Sequence, residues 1–131
     1  AIISSDLVRA QQTADIVASR LTIPVQHSPQ LRECSFGSYE GRSWTEIEKE
    51  ENILKSDVFK GEEHPYDFSP IGGESREQVL GRHLTELEML RSQNQDQTIL
   101  IVGHGTGLNT LLTGMGEPGG LERGVYRAFL F

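Results

Sequence analysis

The apolar positions change period several times along the chain, and each change marks an element. Ile2 and Ile3 read as the end of a strand, and Ser4, Ser5 and Asp6 then offer oxygens able to cap a helix. Leu7, Ala10, Ala14, Val17, Ala18 and Leu21 recur at steps of three and four, which predicts an amphipathic helix over roughly 7–21 with Pro24 beyond its end. Val25 opens a short strand, and Gly37 and Gly41 mark a turn-rich stretch over 31–45. Trp44 to about Leu54 reads as a charged helix with Ile47 and Leu54 on one face. Gly61, Pro65, Pro70, Gly72 and Gly73 then give residues 55–73 the composition of an excursion or lid. Ser75 and Gln78 match a capping box ahead of Val79, Leu80, Leu84, Leu87 and Leu90, which predicts a second helix. Thr98 to Val102 is a continuous β-branched and aliphatic run, the pattern of a buried central strand. Gly105 to about Thr113 reads as a helix, and a last strand is expected over roughly 125–131. Helices alternating with buried strands imply an α/β layer fold, and no internal repeat is visible.

Composition narrows the function classes. The 131 residues suit one domain, and 36% hydrophobic residues with 14 glycines lie in the ordinary globular range. Twelve Lys and Arg against 19 Asp and Glu give a net charge of −7, with the acidic excess heaviest over 46–63. An acidic chain with no basic stripe lacks the footprint of a nucleic-acid or anionic-membrane binder, so any anionic ligand needs a local pocket. No apolar run reaches membrane-spanning length, no signal peptide opens the chain, and a single Cys34 cannot form an internal disulfide; a cytoplasmic location is expected. Both ends of the sequence are apolar, Ala1-Ile2-Ile3 and Phe129-Leu130-Phe131, which fits either terminal strands or a piece of something longer.

Three residues stand out chemically. His104 sits between Gly103 and Gly105, where a buried strand gives way to a helix, at the sheet edge where ligands of open α/β folds collect. A helix start there also offers free amides and the positive end of the dipole to a phosphate. The turn is neither a dinucleotide fingerprint, since Leu108 occupies the third glycine position, nor a P-loop, and no Gly-x-Ser-x-Gly elbow occurs. Arg9, one turn into the first helix, leans back toward the helix start and can fork two donors onto a phosphate. Glu33 can serve as general acid or base beside such a site, or can simply pair with Arg32. His27, His64 and His83 share no metal-ligand spacing with Cys34 or the carboxylates, so no metal and no cofactor is expected. His83 reads as a packing residue and Cys34 as a small hydrophobe.

Taken together, four ordered blocks resemble the histidine phosphatase superfamily, with its phosphoglycerate-mutase-like fold. They are Ser5-x-Leu7-x-Arg9-Ala10-x-x-Thr13-Ala14, Leu31-x-Glu33-x-x-Phe36-Gly37-x-x-Glu40-Gly41, Gly73-Glu74-Ser75 with Arg82 downstream, and Val102-Gly103-His104-Gly105. The resemblance spans most of residues 1–131 and implies a three-layer α/β/α domain with a mostly parallel central sheet. It implies that Arg9 clamps a transferring phosphoryl group, that Glu33 donates and accepts the proton, and that His104 stabilises the phosphoryl group with Gly105 as a further contact. A small phosphorylated substrate and no metal are implied with them. The family's nucleophilic histidine belongs to an Arg-His-Gly motif upstream of every block here, and that motif is missing; Arg82-His83-Leu84 lies in a predicted helix. The expectation is a domain lacking its first strand and nucleophile, whose intact form hydrolyses a small phosphate monoester through a phosphohistidine. The second block resembles the small phosphatases more than the glycolytic mutases. Mutase-type phosphotransfer and a non-catalytic phosphate-binding module are the alternatives. Residues 46–71 are expected to cover the pocket and choose the substrate, with Lys49, Lys55, Lys60, His64 and Tyr66 as possible contacts.

Overall fold

Parallel pairing through β1 organises the chain. In the computed structural model, which describes residues 1–59 and 65–128, β1 (Ile2–Ser5) lies between β2 (Val25–Ser28) and β3 (Leu100–Val102) in the order β2-β1-β3. Ile2 pairs with Val25 on one side and Leu100 on the other, and the register continues to Ser4, opposite His27 and Val102. Ile2 and Ile3 point to opposite faces, yet each is only 1% exposed, so β1 is covered on both sides as a parallel sheet requires. On one side Ile3 packs with Leu31 and Leu90, flanked by Ile99 and Ile101.

The helices between the strands follow the apolar periods closely. The first, α1 (Val8–Leu21), buries Ala10 and Ala14 and ends where Thr22 turns left-handed, its N–H bonding the Ala18 carbonyl. Its cap differs from expectation. Ser4 and Ser5 are consumed by β1, Leu7 takes the N-cap position, and Ser5 contributes only an Oγ that accepts the Leu7 N–H at 3.3 Å. The next helix, α2 (Trp44–Glu51), begins at a capping box between Ser43 and Glu46 and stops at left-handed Asn52. It therefore ends before Leu54, which is 56% exposed. A single turn, α3 (Lys55–Val58), follows. The longest helix, α4 (Arg76–Gln93), starts at the expected box, with Ser75 N donating to Gln78 Oε1 at 2.8 Å and Gln78 N to Ser75 Oγ at 3.3 Å. Its buried positions are Val79, His83, Glu86, Leu87 and Leu90, a helical stripe that includes two ionisable residues. After β3, α5 (Gly105–Gly114) buries Gly107, Thr110, Leu111 and Leu112.

Two strand expectations are corrected. The run Thr98–Val102 does form β3, but among the described residues β3 flanks the sheet, its three residues are half-buried, and the central strand is β1. A continuous apolar run reports that both faces are covered; it carries no information about hydrogen-bonded neighbours. The final strand is absent over 125–128, where Val125 and Tyr126 are 56% and 87% exposed, while 129–131 lie outside the described residues. Strand-forming residues adopt a strand only where a neighbour supplies the ladder. No helix among the described residues is long and apolar enough to cross a membrane.

The chain divides into two compact units, Ala1–Glu33 with Leu80–Phe131, and Cys34–Val79. The first holds the sheet. The second, which contains the excursion, has its own core of Cys34, Tyr66, Phe68 and Val79, ringed by Phe36, Tyr39, Trp44 and Phe59. Its rings meet mostly edge to face, as between Phe36 and Phe68 with centroids 5.2 Å apart. Gly37 is a tight point in this unit, because its φ is +58° and an added Cβ would lie 2.6 Å from Gly73 N. Gly37→Ala should destabilise this unit by about 2 kcal/mol or more through left-handed strain and backbone overlap. Urea unfolding followed by Trp44 fluorescence measures it, and an unshifted transition contradicts the packing described.

Candidate functional site

All three strands run in the same direction, so β1, β2 and β3 deliver their carboxyl ends to one edge of the sheet. The candidate site residues of the first unit gather there. The end of β1 supplies Ser5 and Asp6 and, two residues into α1, Arg9; the segment after β2 supplies Arg32 and Glu33; the turn after β3 supplies His104 and the start of α5.

His104 is the centre of this cluster. It stands at the N-cap of α5 in an extended conformation, 7% exposed, and both ring nitrogens are engaged. Arg9, 95 residues earlier, donates from Nε to Nδ1 at 3.1 Å, and Nε2 lies 2.8 Å from Ser5 Oγ. A guanidinium has only donors, so Nδ1 presents its lone pair and the ring proton sits on Nε2, donated to the Ser5 hydroxyl. His104 is therefore neutral in this arrangement. Its pKa is lowered first by burial and then by Arg9, with Arg82 acting the same way and Glu33 and Asp6 opposing.

Glu33 does not pair with Arg32. The Arg32 guanidinium instead forks onto Asp6, Nε to Oδ1 at 2.7 Å and Nη2 to Oδ2 at 2.6 Å, an arrangement that holds the Asp6 carboxyl below its usual value. The Glu33 carboxylate reaches the start of α5, accepting Gly107 N–H at 2.9 Å and Thr106 N–H at 3.2 Å. A negative charge at a helix N-terminus is favoured by the dipole and by the unsatisfied amides. The carboxylate thus occupies two of the amides that sequence reasoning offered to a phosphate. The Gly105 N–H, at the head of the helix and on an exposed residue, is the amide at that end that Glu33 does not take.

The structure thus brings Arg9, Glu33, His104 and Gly105 to one place. Lys49 and Lys55 lie in the second unit, where Lys55 Nζ stands 5.7 Å from the Trp44 ring centre, and Tyr66 is 8% exposed within the aromatic core. Lys60 and His64 fall outside the described residues. Two contributors escaped sequence reasoning. Ser5 looked like a helix cap but anchors His104, and Asp6 looked like another cap but takes Arg32; a polar residue at the last position of an otherwise buried strand was the available signal. Among the described residues no group of three or more His, Cys, Asp or Glu side chains is arranged to hold a metal ion.

The family model of the histidine phosphatase superfamily (branch 1) matches residues 1–121. The chain is 34% identical over 107 residues to a metal-independent phosphoserine phosphatase of Arabidopsis thaliana, covering 80% of this chain and 44% of that protein. It is 32% identical over 123 residues to the probable phosphoglycerate mutase GpmB of Escherichia coli O1:K1, covering 93% and 56%. Among solved structures, Bacillus stearothermophilus YhfR superposes with a TM-score of 0.77 at 30% identity, over 90% of this chain and 57% of that one. The chain spans about half the length of the curated relatives it matches.

The lowered pKa of His104 fixes a sign for stability. The folded state resists a proton that the unfolded chain accepts near the ordinary value of 6.5, so the contribution is complete above that pH and is lost as pH falls through the lowered folded value. Urea unfolding should show wild type losing stability between about pH 7 and pH 5 more steeply than His104→Asn. Parallel profiles would exclude a depressed His104.

Proposed function

The chain belongs to the histidine phosphatase superfamily, and from that premise we propose that it carries the phosphate-binding and proton-transfer part of a metal-independent phosphatase acting on a small phosphate monoester through a phosphohistidine. The observation that carries this reading is the meeting of Arg9 with His104 at 3.1 Å, beside the Glu33 carboxylate on the start of α5. Cation, ring donor, helix-start amide and carboxylate form the set that phosphoryl transfer requires, because the transferring group spreads negative charge over its oxygens and catalysis is mostly positioning and electrostatics.

In this mechanism the exposed Arg9 guanidinium turns from His104 onto two phosphoryl oxygens. Its departure frees Nδ1 and removes a donor directed at the ring, and His104 takes up a proton and hydrogen-bonds the phosphoryl group. The Gly105 amide adds a neutral donor. The accepting histidine is the one that the family resemblance implies in an Arg-His-Gly motif. Glu33 first takes up a proton from solvent, and as the bond from phosphorus to the ester oxygen breaks and the bond to the accepting histidine nitrogen forms, it gives that proton to the leaving alkoxide; the carboxylate so restored then takes a proton from the water that attacks the phosphohistidine, which releases inorganic phosphate and restores the histidine. Ser5 keeps the imidazole in place through both halves. The likeness to a probable phosphoglycerate mutase supports a second reading, in which the phosphoryl group passes to a second hydroxyl in place of water.

The test is the protein with its Arg-His-Gly segment in place, assayed on an aryl phosphate in the presence of a chelator. Hydrolysis should persist, and His104→Ala should lower kcat/KM by about 10²-fold or more, the usual scale for losing one oxyanion donor. Glu33→Gln should lower it by about 10²- to 10⁴-fold. Full activity in His104→Ala rejects the assignment, and phosphate transfer to glycerate outpacing hydrolysis favours the mutase reading. Arg9-dependent binding of vanadate without turnover would mark a phosphate-binding module.

A further inference from the structure

Arg82, in the second turn of α4, directs its guanidinium at backbone carbonyls. Nη1 donates to the Gln30 carbonyl at 2.6 Å and the Arg32 carbonyl at 2.7 Å, and Nη2 donates to the Glu33 carbonyl at 3.0 Å. These acceptors sit on the short connection after β2, one turn of 3-10 helix over Pro29–Leu31 followed by extended Arg32. Carbonyls in such a segment have no ladder or helix to satisfy them. A planar fork with several fixed donors can serve three of them at once, and a lysine ammonium lacks that geometry.

The same connection is tied at two other points, by the Arg32 fork on Asp6 and by the Glu33 carboxylate on Thr106 and Gly107. Glu33 is therefore held at both ends, its carbonyl by α4 and its carboxylate by α5. The neighbour of Arg82, His83, is wholly buried beside the same turn of α5. A Cβ added at Gly107 would come within 2.8 Å of His83 Nε2 and 3.4 Å of the Arg32 carbonyl, so the glycine lets α4, the Glu33 connection and α5 meet closely. We propose that Arg82 is a positioning residue that sets the Glu33 carboxylate against the amides of Thr106 and Gly107, and so fixes where the proton donor stands. The use of that proton rests on the phosphatase reading above; the placement of the carboxylate does not.

Amide NMR of the 131-residue chain tests this without turnover. Glu33→Ala, which removes the acceptor, should move the Thr106 and Gly107 amide protons upfield and calibrates the loss. Arg82→Gln should move the same two amides in the same direction, Arg82→Lys should move them part of the way with its melting temperature near wild type, and the amides of α1 should hold in both. Arg91→Ala, at the far end of α4, should move neither. Unmoved Thr106 and Gly107 amides in folded Arg82→Gln overturn the proposal, and Arg82→Lys decides it in the same way if the Gln variant does not fold. Titrating inorganic phosphate into the same samples separates the two ideas. Saturable shifts at His104 and Gly105 that vanish in Arg9→Ala belong to the phosphatase reading, and their absence counts against that reading alone.

Discussion

The site depends on the register of β1 against β3. Ile2 opposite Leu100 and Ser4 opposite Val102 bring the ends of two strands, nearly a hundred residues apart in sequence, to the same level of the sheet. From there β1 ends on Ser5, and His104 stands two residues past β3. A slip of one residue would turn Ser5 to the other face and break the 2.8 Å contact that anchors the imidazole, because strand side chains alternate.

Around that anchor, like charges are kept apart by pairing each with a definite neighbour. Asp6 and Arg32 neutralise one another in a bidentate pair, so the carboxylate nearest the start of α1 does not compete for Arg9. Glu33 goes to the start of α5, and Arg82 takes carbonyls. Arg9 remains exposed, its Nε donating to a neutral ring, a partner weaker than a carboxylate and hence one that an anion can outcompete. Two of the amides at the head of α5 are already occupied, so a phosphate there would be met by side chains and the Gly105 amide more than by a full nest of backbone N–H groups.

The second unit shows the opposite style of construction. Its core is largely aromatic, with Phe36 meeting Phe68 edge to face, and its turns rely on glycine at positions such as Gly37 that no side chain could fill. Short elements leave little room for a helical or strand stripe, so large rigid rings supply the buried area. Likeness to both a phosphoserine phosphatase and a probable phosphoglycerate mutase suits a scaffold whose sheet-edge chemistry can be shared while other segments vary.

The helices were legible because a 3.6-residue period and local caps are written into neighbouring residues. The stripe from Leu7 to Leu21 and the Ser75 and Gln78 box became α1 and the start of α4 nearly as read. The candidate residues Arg9, Glu33, His104 and Gly105 were legible too, through their place in motifs and beside glycines. Three things were not. That β1 and not β3 is central among the described strands depends on which edges pair across the chain, and apolar runs are silent about pairing. Ser5 and Asp6 have the composition of caps, and only folding shows that one holds a histidine 99 residues away and the other an arginine 26 residues away. The neutral state of His104 likewise follows from a guanidinium aimed at its lone pair and from burial, neither of which exists in the unfolded chain. Sequence determined the elements and the chemical groups, since these rest on local periodicity and residue type; the tertiary structure decided partners and protonation, since these rest on distances that only the closed sheet edge sets.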